Sequence, residues 1–542
     1  MSRVAWLSWS LFAVAVFLCF WGSHKVPLFD TDEPRYAQAA REMMERGDWI
    51  LPTFNGQPRY AKPVLFYWLI IGSYKVFGVN EFAARFWSGV AAIAIALALY
   101  FTIKPIFGWE AGIASSLFWL TSLGTLIFAH AAITDMVLTT FMIGAIVALW
   151  LGAQGQKPIW FFLASLFCAL AVLTKGPMGV ILPLTIFSIA LFLIRSSPFR
   201  LLSLERLIPV ALGCVALFLI VTVPWYLAVN IRTNGEFLRQ FLFVENVQRY
   251  AQSGKLPLWM HMVYFPLVAF GLGFPWSLLG IGAFGKVPNL TDSQRQWHTL
   301  LRVWAILPLL IFTFSRTKNP QYVLLSIPAL TTLAAIWCTV SDPTTKRWVR
   351  VSWSVTTAFA AFLLFLTPTL LNLNPEWRMR LTGHETVMFG WSIFAMGLLA
   401  LAMVTFMALP NNLFRVLTVA AMLGLHALAL DTFIPQLGRY RQEPLKHFSQ
   451  MAAYQMGSRD LLVVYRRDLS SIVFYSNRRV IRVDDIKKLK ELMHRNCRVD
   501  VFTHVRSLPD LQQVSGWHLV ERQGAFVWVS NRKVTCPLHP QR

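Results

Sequence analysis

Residues 28–43 read LFDTDEPRYAQAAREM and stand directly after the first hydrophobic run of the chain. Asp30, Asp32, Glu33, Arg35 and Arg41 crowd into this stretch, although the 542-residue sequence is 56% hydrophobic and only 14% charged. Asp32 or Glu33 can N-cap a helix that carries Pro34 in its first turn, where a missing N–H costs nothing. Tyr36, Ala39, Ala40, Met43 and Met44 then recur at helical spacing on one face. Arg35, Gln38, Arg41, Glu42 and Glu45 take the other, and Gly47 stops the helix. The pattern predicts an amphipathic helix lying on a membrane surface. Asp32 and Glu33 read either as caps alone or as acids with a task. Capping does not account for Asp30, Asp32 and Glu33 together at a membrane mouth.

The surrounding chain supports the membrane reading. Mean hydropathy is +0.53, and runs of about 20 apolar residues recur, the length that crosses a hydrocarbon core as a helix. A soluble domain cannot bury so many wholly apolar helices, and the alternation of a transmembrane barrel is absent. Residues 4–21 read as a retained first helix rather than a cleaved signal, with only Arg3 before them and no small-residue cleavage site after them. The formal charge of +23 would point to nucleic acid on a soluble protein. Here it reads as basic loops against anionic lipid, with no nucleic-acid partner. Cys19, Cys168, Cys214 and Cys338 behave as small hydrophobes in or beside apolar helices, and Cys497 and Cys536 are the one pair open to bridging. No metal-ligand spacing is visible.

Thirteen spans are expected, near 4–22, 82–103, 110–128, 134–152, 159–174, 177–194, 207–229, 262–284, 299–314, 320–339, 349–371, 388–409 and 413–434. One set of loops, from Arg3 and Lys104 through Arg195 and Arg200 to Lys346 and Arg415, is basic with only Glu205, Asp292 and Asp342 against it. That is a cytoplasmic signature. The opposite set holds the long first loop 23–81, the loop 230–261 and the C-terminal region, and is assigned to the periplasm. From about residue 438 the character changes. DLLVVYRR, SIVFYSN, RVDVFTHV and GAFVWVS read as strands and DDIKKLKELMHRN as an amphipathic helix. The expected organisation is a polytopic α-helical domain over 1–437 and a small soluble α/β domain over 438–542.

Several polar residues lie on the exterior face where apolar sequence dominates. Lys62 precedes Pro63 at the entrance to the segment 64–77, which is too short to span and suits an interfacial or re-entrant piece. Asp135 opens a span. Lys175 interrupts a long apolar stretch, Lys318 sits between two spans with Tyr322 one turn on, and Glu245, Asn246 and Arg249 follow in FVENVQRYA. Each cation alone reads as a snorkelling or loop charge. Together they form a basic cluster beside two carboxylates, which suits a lipid phosphate held next to an acid or base. Glycosyl transfer from a lipid-phosphate sugar needs both. No nucleotide-binding glycine loop is present to suggest a nucleotide sugar.

Residues 28–70, with DEPRYAQAAREMMERGDWILPTFNGQPRYAKPVLFYW at their centre, resemble the first-loop block of the GT-C membrane glycosyltransferases, most closely the lipid A aminoarabinose transferase family, with the protein O-mannosyltransferases more distant. ITDMV, LTKGP, FVENVQRYA and SRTKNPQYVL continue the likeness more weakly to about residue 340. The resemblance implies thirteen helices, a periplasmic active site, an undecaprenyl-phosphate sugar donor and a lipid A phosphate acceptor in the bacterial inner membrane. It implies Asp32 and Asp135 as the essential acids. Lys62, Lys175, Lys318, Tyr322 and Arg249 would surround the donor phosphate, and Glu33, Arg35, Tyr36, Tyr60, Glu245 and Asn246 would contact substrate. In those transferases a Glu and a His help to hold zinc, and the corresponding positions here are Ala61 and Asn246. No cofactor is therefore expected. The leading expectation is transfer of a sugar from a polyprenyl phosphate to lipid A or another glycolipid. A protein acceptor remains open, and a lipid-linked sugar transporter stands behind it, because polar residues at mid-span are missing.

Overall fold

The structure is a computed structural model. It describes residues 3–155, 157–194, 204–248, 258–285, 287, 289–315, 317–339 and 411–534, with a few single positions between 347 and 397; residues 245–248 are described by their backbone alone. Apart from those single positions, the expected spans 349–371 and 388–409 lie outside the described residues, as do Arg249 and Cys536.

The chain begins with α1 (Arg3–Leu18), α2 (Asp32–Arg46), a hairpin of β1 (Thr53–Phe54) and β2 (Gln57–Pro58), α3 (Leu65–Phe77) and α4 (Glu81–Phe107). It continues through α5 (Trp109–Leu120), α6 (Leu123–Phe128), α7 (Thr134–Gly155), α8 (Pro158–Lys175), α9 (Met178–Leu193) and α10 (Leu204–Arg232). Among the described residues five helices are long and apolar enough to cross a membrane: α4, α7, α8, 207–232 in α10, and 419–439. Of the other expected segments among the described residues, 299–314 lies in the continuous 22-residue helix Asp292–Thr313, and the rest are helical but shorter or broken. The span expected over 110–128 splits at Thr121 and Ser122, where the Ser122 hydroxyl accepts from Thr125 N and starts α6 anew. The span expected over 262–284 folds as two helices bent by 112° about a break with Gly273 and Pro275. The two breaks lock together. Trp276 stacks on Phe118 at 3.8 Å, its indole N–H donates to Thr121 Oγ1 at 3.0 Å, and Leu123 N donates to Phe274 O at 2.9 Å.

The amphipathic reading of α2 holds for its apolar face, while Gln38, expected on the polar face, is buried too, and the cover on both faces differs from the expected one. Tyr36, Ala37, Ala39, Ala40 and Met43 are buried, and Tyr74 of α3 donates its hydroxyl to Ala37 O at 3.2 Å. The apolar face thus packs on α3 rather than lying on lipid. The polar face meets the C-terminal region. Helix α3, of 13 residues, rises about 1.5 Å per residue and falls well short of a ~30 Å core.

The C-terminal strands β3 (Leu461–Tyr465), β4 (Val480–Val483), β5 (Val499–His504), β6 (His518–Gln523) and β7 (Phe526–Ser530) form one sheet in the order β4-β3-β5-β7-β6. The first three are parallel, and β7 and β6 add antiparallel. Phe448, Phe502 and Trp528 fill the core on one face; Leu489, Val501 and Val527 fill it on the other. SIVFYSN, expected as a strand, is instead the helix Ser470–Ser476. Parallel β3 and β4 require a crossover, and that requirement overrides the β propensity of Ile472, Val473 and Phe474. The hairpin residue Asn55 accepts from Val480 N at 2.9 Å and donates to Val480 O at 2.7 Å, matching the backbone of β4 with its side-chain amide.

Candidate active site

Asp135 is the second residue of α7, and Lys175 is the last residue of α8. These helices pack side by side, so the start of one meets the end of the other. Lys175 Nζ lies 2.5 Å from Asp135 Oδ1, with Asp135 buried and the lysine only partly exposed. The same ammonium sits 5.4 Å from the centre of the Tyr322 ring. Lys62, Asp135, Lys175 and Tyr322 share the wall of a cavity of about 510 Å³, whose remaining lining includes Leu138, Met142, Leu182, Phe243 and Phe312. Two cations, one carboxylate and a phenol thus head a largely apolar chamber.

The other expected residues fall in different places. Lys318 turns away: its ammonium donates to Thr313 O at 2.9 Å and lies 4.8 Å from the Phe265 ring centre, and it does not line the cavity. Tyr60 packs edge-on against Phe237 at 6.1 Å. Glu245 and Asn246 lie on the π-helical segment Arg239–Gln248, but their side chains are outside the description.

The first-loop residues divide sharply. Asp32 is exposed on the first turn of α2. Glu33, expected to meet substrate, is consumed inside the fold. It pairs with Arg85 (Nη2 to Oε2 2.7 Å, Nε to Oε1 2.9 Å) and accepts from Phe29 N and Ala132 N. Arg35 is likewise engaged, through an ion pair with Asp468 and a 3.0 Å bond to Ser470 Oγ. Tyr36 is buried, edge-on to Phe66 at 5.4 Å. Burial raises its phenol above the usual value; Tyr67 adds to the shift, and so do the charges of Asp32 and Asp135. Tyr36 therefore stands within electrostatic reach of both acids.

Two residues that the sequence reading passed over matter here. Arg59 lies 5.3 Å from the Tyr36 ring centre, and its Nε donates to Tyr67 Oη at 3.0 Å. Burial opposes its charge, but Tyr67, Tyr36 and Asp32 outweigh burial and hold it above the ordinary arginine value. Arg85 donates to Ser23 O, Val26 O and Pro27 O as well as to Glu33. An arginine near the start of an apolar span was the signal for it, since such a charge demands a partner. Ala61 offers no ligand atom, so the zinc-holding pair of the resembling family does not fit here. Among the described residues no group of three or more His, Cys, Asp or Glu could hold a metal.

Residues 61–227 match the family profile of the dolichyl-phosphate-mannose-protein mannosyltransferases. The undecaprenyl phosphate-alpha-4-amino-4-deoxy-L-arabinose arabinosyl transferase of Edwardsiella ictaluri is 29% identical over 384 residues, covering 68% of this chain and 67% of that protein. The enzyme of the same name from Enterobacter sp. is 29% identical over 434 residues, covering 77% and 74%. The crystal structure of ArnT from Cupriavidus metallidurans bound to undecaprenyl phosphate superposes over 100% of both chains with a TM-score of 0.81, at 20% identity. The chain has the GT-C fold and resembles the ArnT glycosyltransferases. The fold is that of ArnT, and five of the described helices are long and apolar enough to cross a membrane.

Proposed function

We propose that this ArnT-like chain transfers a sugar from a polyprenyl-phosphate donor to lipid A or another glycolipid, at the periplasmic face of the bacterial inner membrane. One observation carries the reading. Lys62, Lys175 and Tyr322 share with Asp135 the lining of a cavity of about 510 Å³ whose remaining wall is mostly apolar, with Thr139, Ser315, Thr317 and Gln321 as its other polar residues. A lipid phosphate has this division into a charged head and a greasy tail. The names of the curated relatives and the undecaprenyl phosphate in the superposed ArnT support the same donor class.

In the proposed reaction the bond from the anomeric carbon to the phosphate oxygen breaks, and its electron pair stays with the phosphate. Lys62 and Lys175 stabilise that growing charge, with Tyr322 beside them. An acceptor oxygen attacks from the opposite face, so the anomeric centre inverts. Asp32, exposed beside Arg59, orients the acceptor or takes its proton. A phosphate monoester acceptor is largely ionised at neutral pH, in which case orientation is the larger share. Asp135 holds the Lys175 ammonium toward the donor.

The test is mass spectrometry of lipid A and other envelope lipids from cells expressing wild type or Asp32→Asn. A pentose- or hexose-sized addition present only with wild type supports the proposal, and its mass narrows the sugar. Unchanged lipids together with loss of a glycan from a periplasmic protein would move the acceptor to protein, the chemistry named by the matching family profile.

A further inference from the structure

Helix α2 has no side-chain cap at its N-terminus: Thr31 occupies the cap position without bonding the first turn. Residues 19–31, which lead into it, form no helix beyond turns and no strand. Locally, Phe29 N donates to Glu33 Oε2 at 2.7 Å across this start. The other ties come from distant parts of the chain. Asp30 Oδ1 accepts from Ser471 N at 2.7 Å, and Asp30 Oδ2 accepts from Ser471 Oγ at 2.5 Å. Arg35 pairs with Asp468 and bonds Ser470 Oγ, and Ser470 in turn bonds Asp468 Oδ1 at 3.1 Å. Leu28 N donates to Tyr475 Oη at 2.7 Å.

All these partners belong to one piece of the C-terminal α/β unit, the loop after β3 and the helix Ser470–Ser476. The carboxyl end of a parallel strand, where the next helix begins, is where open α/β sheets receive anionic ligands. Here the anion is Asp30 of the same chain. From the opposite side, Glu33 is held by Arg85 and by Ala132 N, three residues before Asp135. Of Asp30, Asp32, Glu33 and Arg35, three are tied down on two sides, and Asp32 is the exposed one.

We propose that Asp30 and Arg35 are positioning residues, through which the C-terminal α/β unit sets the first turn of α2 and completes the transfer site around Asp32. The inference rests on the reading of Asp32 given above. Its energetic sense is that of placement. Charge-assisted hydrogen bonds are worth about 1.5–3 kcal/mol each, while a displacement of about 1 Å at a reacting group costs on the order of 100-fold in rate. The clasp therefore matters more for turnover than for keeping the chain folded.

The test uses the full-length protein in lipid nanodiscs, as wild type, Asp30→Ala, Asp30→Asn, Ser471→Ala and Asp468→Asn. Transfer is followed with undecaprenyl-phosphate sugar and lipid A, and hydrogen exchange is followed over residues 28–38 and over β3 and β5. Asp30→Ala and Asp468→Asn are expected to lower kcat about 10- to 100-fold with the donor KM unmoved. Exchange should quicken over 28–38 and stay slow in the sheet. Asp30→Asn should recover most of the rate, because its carbonyl can still accept from Ser471 N while the Ser471 hydroxyl turns to accept from the new amide. Should Asp30→Ala loosen the sheet as well, Ser471→Ala, which removes only a hydroxyl, decides with the same readouts. Unchanged exchange over 28–38 overturns the clasp, as does quicker exchange with unchanged kcat. If wild type transfers nothing, the proposed function fails on its own, and the exchange measurements still decide whether the α/β unit holds α2.

Discussion

Arg85 Nη2 lies 2.7 Å from Glu33 Oε2, and both side chains are almost fully buried. The pair joins α4 to α2, and through Glu33 Oε1 it reaches the turn before Asp135. Removing one member leaves an uncompensated charge inside the protein, which costs about 3–5 kcal/mol. Arg85→Met alone and Glu33→Gln alone should each lower the thermal unfolding temperature clearly in detergent. The double variant should recover part of the loss.

Lys175 and Asp135 form the charged head of the cavity, so Lys175→Met should weaken undecaprenyl phosphate binding. The expected loss is about 10- to 100-fold, the equivalent of one charge-assisted bond. Titration of the purified protein by native mass spectrometry reads it directly. Lys318→Met should change affinity far less, because that ammonium faces Thr313 O and Phe265. Equal losses for the two variants would remove the distinction drawn between them.

Asp32→Asn keeps size and loses charge. Removing a general acid–base group costs on the order of 10²–10⁴ in rate, so kcat should fall by that order. Donor affinity should hold, because Asp32 does not line the donor cavity. A fall in donor affinity with kcat intact would place Asp32 at the donor instead.

The cavity wall gives a length test. Leu182→Trp adds bulk at an apolar residue of the chamber wall. Overpacking excludes a long polyprenyl tail before a short one. Activity with an undecaprenyl donor should drop, while a donor of two or three prenyl units should retain most of its rate.

Asp30 supplies a pH dependence. Burial raises its carboxyl from 3.8 to about 6; the Ser471 bonds pull it back, Asp468 adds to the rise and Arg35 opposes it. A carboxyl raised in the folded state contributes stability that is complete below its unfolded value and is lost as pH rises through the folded one. Residues 28–38 should therefore be better protected from exchange, after correction for intrinsic rates, near the lower end of the window from 3.8 to about 6. Asp30→Asn should flatten that slope.

Much of the membrane architecture was legible because a residue in lipid has few options. Apolar length marked α4, α7, α8 and α10, and the charge at Asp135 and at Lys175 stood out against it. Spacing along one helix could not say what would cover α2, since the partner on its polar face lies more than 430 positions away, at Asp468 and Ser470. The same limit hid Arg85 from Glu33: Glu33 stood out in the sequence and Arg85 did not, and only the fold brings them together. The direction of the Lys318 side chain was hidden for another reason. Sequence locates a cation on a side of the membrane, whereas the direction of its long side chain depends on which carbonyl or ring lies nearest. The helix Ser470–Ser476 was missed because its β-branched run signals a strand until the parallel pairing of β3 and β4 is known.

The two hydrogen bonds between Asn55 and Val480 have a consequence for aggregation. Strand β4 is the last in its sheet, and a terminal strand offers unpaired backbone groups to any other chain. Asn55, from a hairpin that precedes most of the membrane helices, occupies part of that rim and denies it to neighbours. This edge of the α/β unit is therefore shielded from edge-to-edge growth only while the unit is attached to the body it serves. A protein that lost this contact would expose a sticky margin as well as a displaced Asp32.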